Sequence, residues 1–527
     1  MHEEQLRVGR ASVVCLLICV LLYGSIACAG APLWGDLKPG PHGIGFRTVE
    51  KYDWSRTYRE KTDYFGAPLP GEIARPIQIC IWYPAATTGS ETAMVYGEYA
   101  YPFPEDDSFH DLLANLQARE TQLIQGFTGG DRGFVIDLIN VEMAAVRDAP
   151  PQEGSFPLII YHPNIESSYC NNFVLCEYLA SQGFIVATTH SLGTSQFTPG
   201  LNQADIETVI GDREYVAAYM NEYPHIDNSK LGLFGFGSGG FTALLMQMRN
   251  SRVDAVADLG GSLVYPDVLD TVRQNPYYSE LRMQVPVLEL YSDTDFTADL
   301  SLIDALRYGP RYRYLVSAQR FFGFCSIGNI RSLVPDSTGA VSEVSNPGHE
   351  AICQYVMNFF KAHLNGDEGS LQFLNNQPVD NGIAPDLVEF SFQAAEDAPP
   401  TDRQFMQIIS QYGASRAAEV FEKFKQSHPG SIAFPEATMN YLGYSQLGSG
   451  RPDEAVILFR MNAEAYPNSA NCWDSYADGC IAAGDTDGAI MCYKKVLEVL
   501  PNDTNANESL RETLRNNAEA GLERLQR

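Results

Sequence analysis

The chain has 527 residues, 45% of them hydrophobic and 19% charged, and a formal net charge of −29. That length predicts two or three domains with room for a large core, at a composition ordinary for a globular protein. The acidity excludes a broad basic face for nucleic acid or anionic lipid. In chain order, the first predicted element is a targeting segment. Arg7 and Arg10 precede the apolar run Val13 to Tyr23, and Ala27-Cys28-Ala29 follows as a small-residue cleavage site. The expectation is a signal peptide over 1–29 and export to a periplasmic or extracellular space. A lipid anchor at Cys28 is the less favoured reading, because Ser25 stands where an aliphatic residue belongs. No later run is long enough to span a bilayer.

From Arg75 to Leu364 short apolar strands alternate with helical stretches. Ile77–Trp82, Pro157–Tyr161, Phe184–Thr189, Leu231–Phe234, Val253–Ala257, Val285–Leu290 and Tyr312–Val316 read as strands. Phe173–Ser181, Ile206–Met220, Phe241–Met248 and Ala351–Leu364 read as helices. Alternation of this kind predicts an α/β domain, over 30–374, with a mostly parallel sheet covered on both faces. The polar stretch 375–401 reads as a linker, and 402–527 as all-helical. There Gly450, Asp453, Ala455, Phe459, Pro467 and Asn468 return 34 residues later as Gly484, Asp487, Ala489, Tyr493, Pro501 and Asn502. That period, with Leu442-Gly443 and Trp473 at the first-helix positions, is the tetratricopeptide pattern. It predicts a protein or peptide partner held by the repeats. Arg403–His428 reads as a further, imperfect helix pair and Ser509–Gln526 as a capping helix.

The segment Leu231-Gly-Leu-Phe-Gly-Phe-Gly-Ser-Gly-Gly240 is where chemistry is expected. A strand runs into a glycine cluster and then a helix, the setting in which G-x-S-x-G holds up a nucleophilic serine. The turn needs small residues two before and two after its apex. Gly235 and Gly239 meet that need, which puts Gly237 at the apex. Glycine has no side-chain oxygen and cannot form an acyl-enzyme. Ser238 is one place late, and an apex there would put Phe236 in a small-residue position.

Around this elbow, the order of Ile-Trp-Tyr-Pro84, Tyr-His-Pro-Asn164, Ala-Thr-Thr-His190, Gly-Phe-Gly-Ser-Gly-Gly240 and Phe-Phe-Lys-Ala-His-Leu-Asn-Gly-Asp367 resembles the dienelactone hydrolase and platelet-activating-factor acetylhydrolase branch of the α/β-hydrolase fold. The resemblance runs from about Gly40 to Asp367. It implies a doubly wound, mostly parallel sheet and an esterase ancestry using Ser, Asp and His in that order. It also implies that the acid position falls on Gly260 and the base position on Phe321. His162 and Asn164 fall in the oxyanion turn, where a packing role for His162 is at least as natural as catalysis.

No histidine occurs between His225 and His349, although a triad in this order needs one after the last strand. His349 opens a helix and is expected at the surface. The sequence therefore predicts a scaffold degenerate at Gly237, Gly260 and Phe321, acting by binding a small ester-like ligand or a protein. The alternative is an active carboxylic-ester hydrolase with Ser238 as a shifted nucleophile, aided by His349 or His190 and by Asp293 or Asp258. Asp295 is a further spare carboxylate. No cofactor and no metal are expected, since no ligand-spaced cluster, phosphate loop or dinucleotide fingerprint occurs. The eight cysteines after Ala29 are irregularly spaced and expected to be buried as small apolar residues.

Overall fold

The computed structural model describes residues 32–58, 73–104, 109–129, 131–165, 167–194, 197–333, 346–398, 402–427, 435–504 and 506–526. The expected signal peptide and Cys28 lie outside them. The chain divides into two compact units, Met1–Glu396 and Asp397–Arg527.

The first unit is built on a ten-stranded sheet. Its strands are β1 (Gly43–Tyr58), β2 (Ile73–Ala85), β3 (Val146–Arg147), β4 (Phe156–His162), β5 (Ile185–Thr188), β6 (Ile226–Phe236), β7 (Ala255–Leu259), β8 (Val287–Tyr291), β9 (Arg311–Val316) and β10 (Val388–Gln393). Their spatial order is β10-β9-β8-β7-β6-β4-β5-β2-β1-β3. β2 runs antiparallel to β1 and β5, while β5, β4, β6, β7, β8 and β9 are mutually parallel. This is an α/β-hydrolase fold. The chain steps outward from β4 to β5, then back past β4 to β6 and onward. That reversal opens a crevice at the carboxyl ends of β4 and β6, the place where open parallel sheets bind ligands.

Period-two side-chain alternation makes two cores of one sheet. Tyr161, Phe234, Ala257 and Leu288 face one side, with helices α1 (Phe173–Ser181) and α4 (Pro347–Asn365). Ile160, Leu233, Val256 and Val287 face the other, with α2 (Gln203–Met220) and α3 (Ser238–Arg249). Every strand and helix expected from the sequence between Ile77 and Leu364 has a counterpart here. The eight cysteines are buried and none is in a disulfide.

The segment 375–401 departs from the expected linker. Val388–Gln393 forms β10, paired antiparallel with β9 from Val388 opposite Val316 to Gln393 opposite Arg311. Tyr312 and Tyr314 take Phe392 and Phe390 as cross-strand partners, with ring centroids 4.9 Å apart in both pairs. Aromatic cross-strand pairs of this kind stabilise an edge that polar composition alone does not reveal.

The second unit is all-helical. Its helices are α5 (Asp402–Tyr412), α6 (Ala414–Ser427), α7 (Glu436–Gly448), α8 (Pro452–Ala465), α9 (Ala470–Ala483), α10 (Thr486–Val499) and α11 (Glu508–Leu525). α9 and α10 begin 34 residues after α7 and α8. Small residues set the close approach. A Cβ on Gly443 would lie 2.3 Å from the Phe459 ring, and Ala455 and Ala489 are fully buried.

Candidate functional site

Close backbone contact shapes the elbow between β6 and α3. A Cβ on Gly235 would lie 2.1 Å from the Gly239 carbonyl carbon, and one on Gly239 1.9 Å from the His162 carbonyl oxygen. Only glycine fits at either place. Between them Gly237 takes φ 54° and ψ −132°, a strained region for any residue with a Cβ. Gly237 is therefore the outermost residue of the turn, and Ser238 is the first residue of α3. A Cβ on Gly237 would sit 2.9 Å from the Phe321 ring and 3.1 Å from Asn164 Oδ1. The space a nucleophile's side chain would use is filled by those two groups.

The turn after β4, expected as the oxyanion turn, is occupied as well. In an elbow hydrolase the oxyanion is held by the backbone N–H after the apex and by an N–H of the turn following the neighbouring strand. Here the Ser238 N–H donates to Asn164 Oδ1 at 3.2 Å, and the Ile165 N–H donates to Ser238 Oγ at 2.8 Å. The Ser238 hydroxyl in turn donates to Asn164 Oδ1 at 2.6 Å. The Asn164 amide nitrogen is fixed by Ser167 Oγ at 3.1 Å, which orients its oxygen inward. Ser238 is thus closed into a ring with its neighbours.

The remaining expected residues lie as follows. Gly260 has φ 93° and stands beside the apex; a Cβ there would be 3.7 Å from Gly237 N. The Phe321 ring packs tilted against Phe236 at 4.7 Å between centroids. Its backbone N–H donates to Asp295 Oδ2 at 2.8 Å, so the residue at the base position and a carboxylate from the loop after β8 do meet. Asp258 does not line the cavity and lies on the Val256 face of β7, accepting from Ser262 Oγ and Leu263 N at 3.0 and 2.9 Å. Next to it on β8 is Glu289, equally buried. Burial pushes both carboxyls up; the Asp258 carboxylate raises Glu289 further, while its hydrogen bond with Glu289 partly holds Asp258 down. Asp293 is exposed and does not line the cavity.

His349 is a correction. It is 1% exposed, not a surface residue, with Nδ1 3.2 Å from Asn329 Nδ2 and the Cys353 sulfur beside its ring. The first turn of α4 is drawn inside by Asn346, whose side chain caps the His349 N–H and bonds Asn329. Burial lowers His349 to about 4. His190 bonds Gln78 at 3.0 Å and His162 bonds Thr242 at 3.0 Å, both fully buried and with pKa values driven down by desolvation. None of these three rings lines the cavity at the elbow.

That cavity measures about 370 Å³. Gly237, Ser238, Gly260, Phe321, Asn164 and Asp295 are all in its wall, brought together from five separate connections of the sheet. Sequence reasoning missed the plugging role of Asn164 and the wall residue Gln319. The only sequence-level signal for Asn164 was an amide side chain in a turn whose backbone donors are normally left free. Among the described residues no group of three or more His, Cys, Asp or Glu is placed to hold a metal ion, and no helix is long and apolar enough to cross a membrane.

No family model matches the chain, and no curated protein does. Among solved structures it is similar to a ferulic acid esterase from Streptomyces cinnamoneus at 20% identity and a TM-score of 0.46, over 66% of this chain and 96% of that one.

Proposed function

We propose that the first unit is a hydrolase-fold scaffold that binds a small molecule at the elbow without cleaving it. The second unit, read as tetratricopeptide repeats, would recruit a protein or peptide partner. The observation that carries the reading is the closed ring of Asn164, Ile165 and Ser238. Both backbone donors that would stabilise an oxyanion are engaged by the protein's own side chains. Removing even one such donor from a working site costs roughly 100- to 1,000-fold in rate. Ser238 has its proton on Asn164, an amide that cannot act as a base. A cavity retained beside these substitutions supports binding. Export, read from 1–29, completes the proposal and places the work outside the cytoplasm.

Fluorophosphonate labelling and p-nitrophenyl acetate turnover test it. The full chain should show neither above background, and Ser238→Ala should change nothing. Labelling at Ser238, with turnover abolished by Ser238→Ala, would replace this reading with the shifted-nucleophile esterase.

A further inference from the structure

The hydrogen-bonding groups in the cavity wall, taken one by one, indicate what the cavity could hold. Among the described residues six in the wall carry side-chain donor groups, and each group has at least one internal partner. Ser238 donates to Asn164, Asn164 to Ser167, Ser262 to Asp258 and Tyr265 to Asp267. Gln319 donates to Asn346, and the Ser292 hydroxyl is paired with that of Thr294. Among the described residues no Lys, Arg or His lines the cavity. An ester carbonyl or a carboxylate entering here would leave its water-borne hydrogen bonds behind and find few donors in exchange, the second N–H of the Asn164 and Gln319 amides among them.

The acceptor side is different. Asp295 uses one oxygen on the Phe321 N–H, is exposed to solvent, and brings the single formal charge among the described wall residues. Five aromatic rings share the wall, at 241, 265, 296, 321 and 324. Tyr265 and Phe296 meet edge to face at 4.9 Å, and Phe321 covers the apex. A carboxylate at the edge of a ring-lined hollow suits an organic cation: ring faces attract it by their quadrupoles, and it needs no donor from the protein. The chain's net charge of −29 adds long-range attraction of the same sign.

Resting on the binding reading above, we propose that the elbow cavity is a site for a small alkyl- or aryl-ammonium ion, with Asp295 as its counter-ion, rather than for the ester-like molecule expected from the sequence.

Titration of the full chain with phenyltrimethylammonium, its neutral isostere tert-butylbenzene, and benzoate decides the matter. The cation should bind at least tenfold more tightly than tert-butylbenzene, and benzoate should not bind. Asp295→Asn, which keeps an acceptor for the Phe321 N–H, should weaken the cation about tenfold and leave tert-butylbenzene within twofold. Phe296→Leu, a second variant remote from that hydrogen bond, should weaken the cation more than the neutral probe. Equal or tighter binding of tert-butylbenzene or benzoate, an Asp295→Asn protein that holds the cation as well as the parent, or no binding of the cation overturns the proposal. These outcomes leave the non-catalytic reading in place, since that reading fails only on fluorophosphonate labelling or turnover.

Discussion

The two units of this chain solve the same packing problem with opposite contact patterns. In the helical unit, close contacts join elements adjacent in sequence: Gly443 of α7 against Phe459 of α8, and Gly479 of the following helix against the same ring. In the sheet unit, the elbow is made by residues 73 to 84 positions apart: Ile165 and Asn164 against Ser238, and Phe321 against Gly237. Local packing repeats and is visible as a period. Long-range packing does not repeat, so its details, including those that bear on chemistry, are invisible until the chain is folded.

The sharpest way to break this comparison is to overpack each unit at its own tightest contact. Gly239→Val forces a branched side chain where even a Cβ would lie 1.9 Å from the His162 carbonyl. It should cost at least about 4 kcal/mol and remove the sheet unit's thermal transition while the helical one persists. Ala489→Arg buries a charge between fully packed helices and should cost the helical unit about 3 kcal/mol. Differential scanning calorimetry of the full chain checks both, and a single shared transition lost in either variant would contradict independent units.

Acid should act on the sheet unit. His349 has a folded pKa of about 4, depressed by burial below its ordinary 6.5. A depressed pKa contributes stability that is present above pH 6.5 and lost as pH falls through about 4, about 3 kcal/mol from this residue. The Asp258–Glu289 pair has the opposite sign. Its carboxyls are raised, so their contribution is full below the ordinary carboxylate range near pH 4 and declines as pH rises above it. Chemical denaturation from pH 4 to 8 should show His349→Gln flattening the acid limb and Glu289→Gln flattening the alkaline one. Unchanged limbs would mean that other groups control the profile.

The smallest stability effect is expected at the apex. Gly237→Ser places a Cβ at positive φ and against Phe321, and should cost about 1–2 kcal/mol with no gain of turnover. Adding Phe321→His and Asn164→Gly removes the ring and the plug, and places an imidazole near Asp295. Weak p-nitrophenyl acetate hydrolysis by that triple variant, absent from each single variant, would show that the scaffold retains a catalytic geometry. Fast turnover by Gly237→Ser alone would reveal a base in a place the structure does not suggest.

The strands, the main helices, the glycine elbow and the 34-residue period were readable in the sequence because each is local. Alternation, β-branched runs and small residues at fixed offsets act over a few residues. Residue 321 could be singled out only through resemblance to a known family, since nothing adjacent to it in sequence explains a phenylalanine there. The edge strand β10 was hidden in a polar stretch, because its pairing with β9 depends on ring contacts across more than seventy residues. The burial of His349 depends on Asn329 and Asn346 folding over the start of its helix. The engagement of the Ile165 and Ser238 N–H groups by Ser238 and Asn164 depends on where β4 and β6 end relative to each other. Local pattern determined the scaffold; which polar atoms remain unsatisfied, and so what the cavity can attract, was decided by tertiary structure, because hydrogen-bond partners are assigned only when distant segments meet.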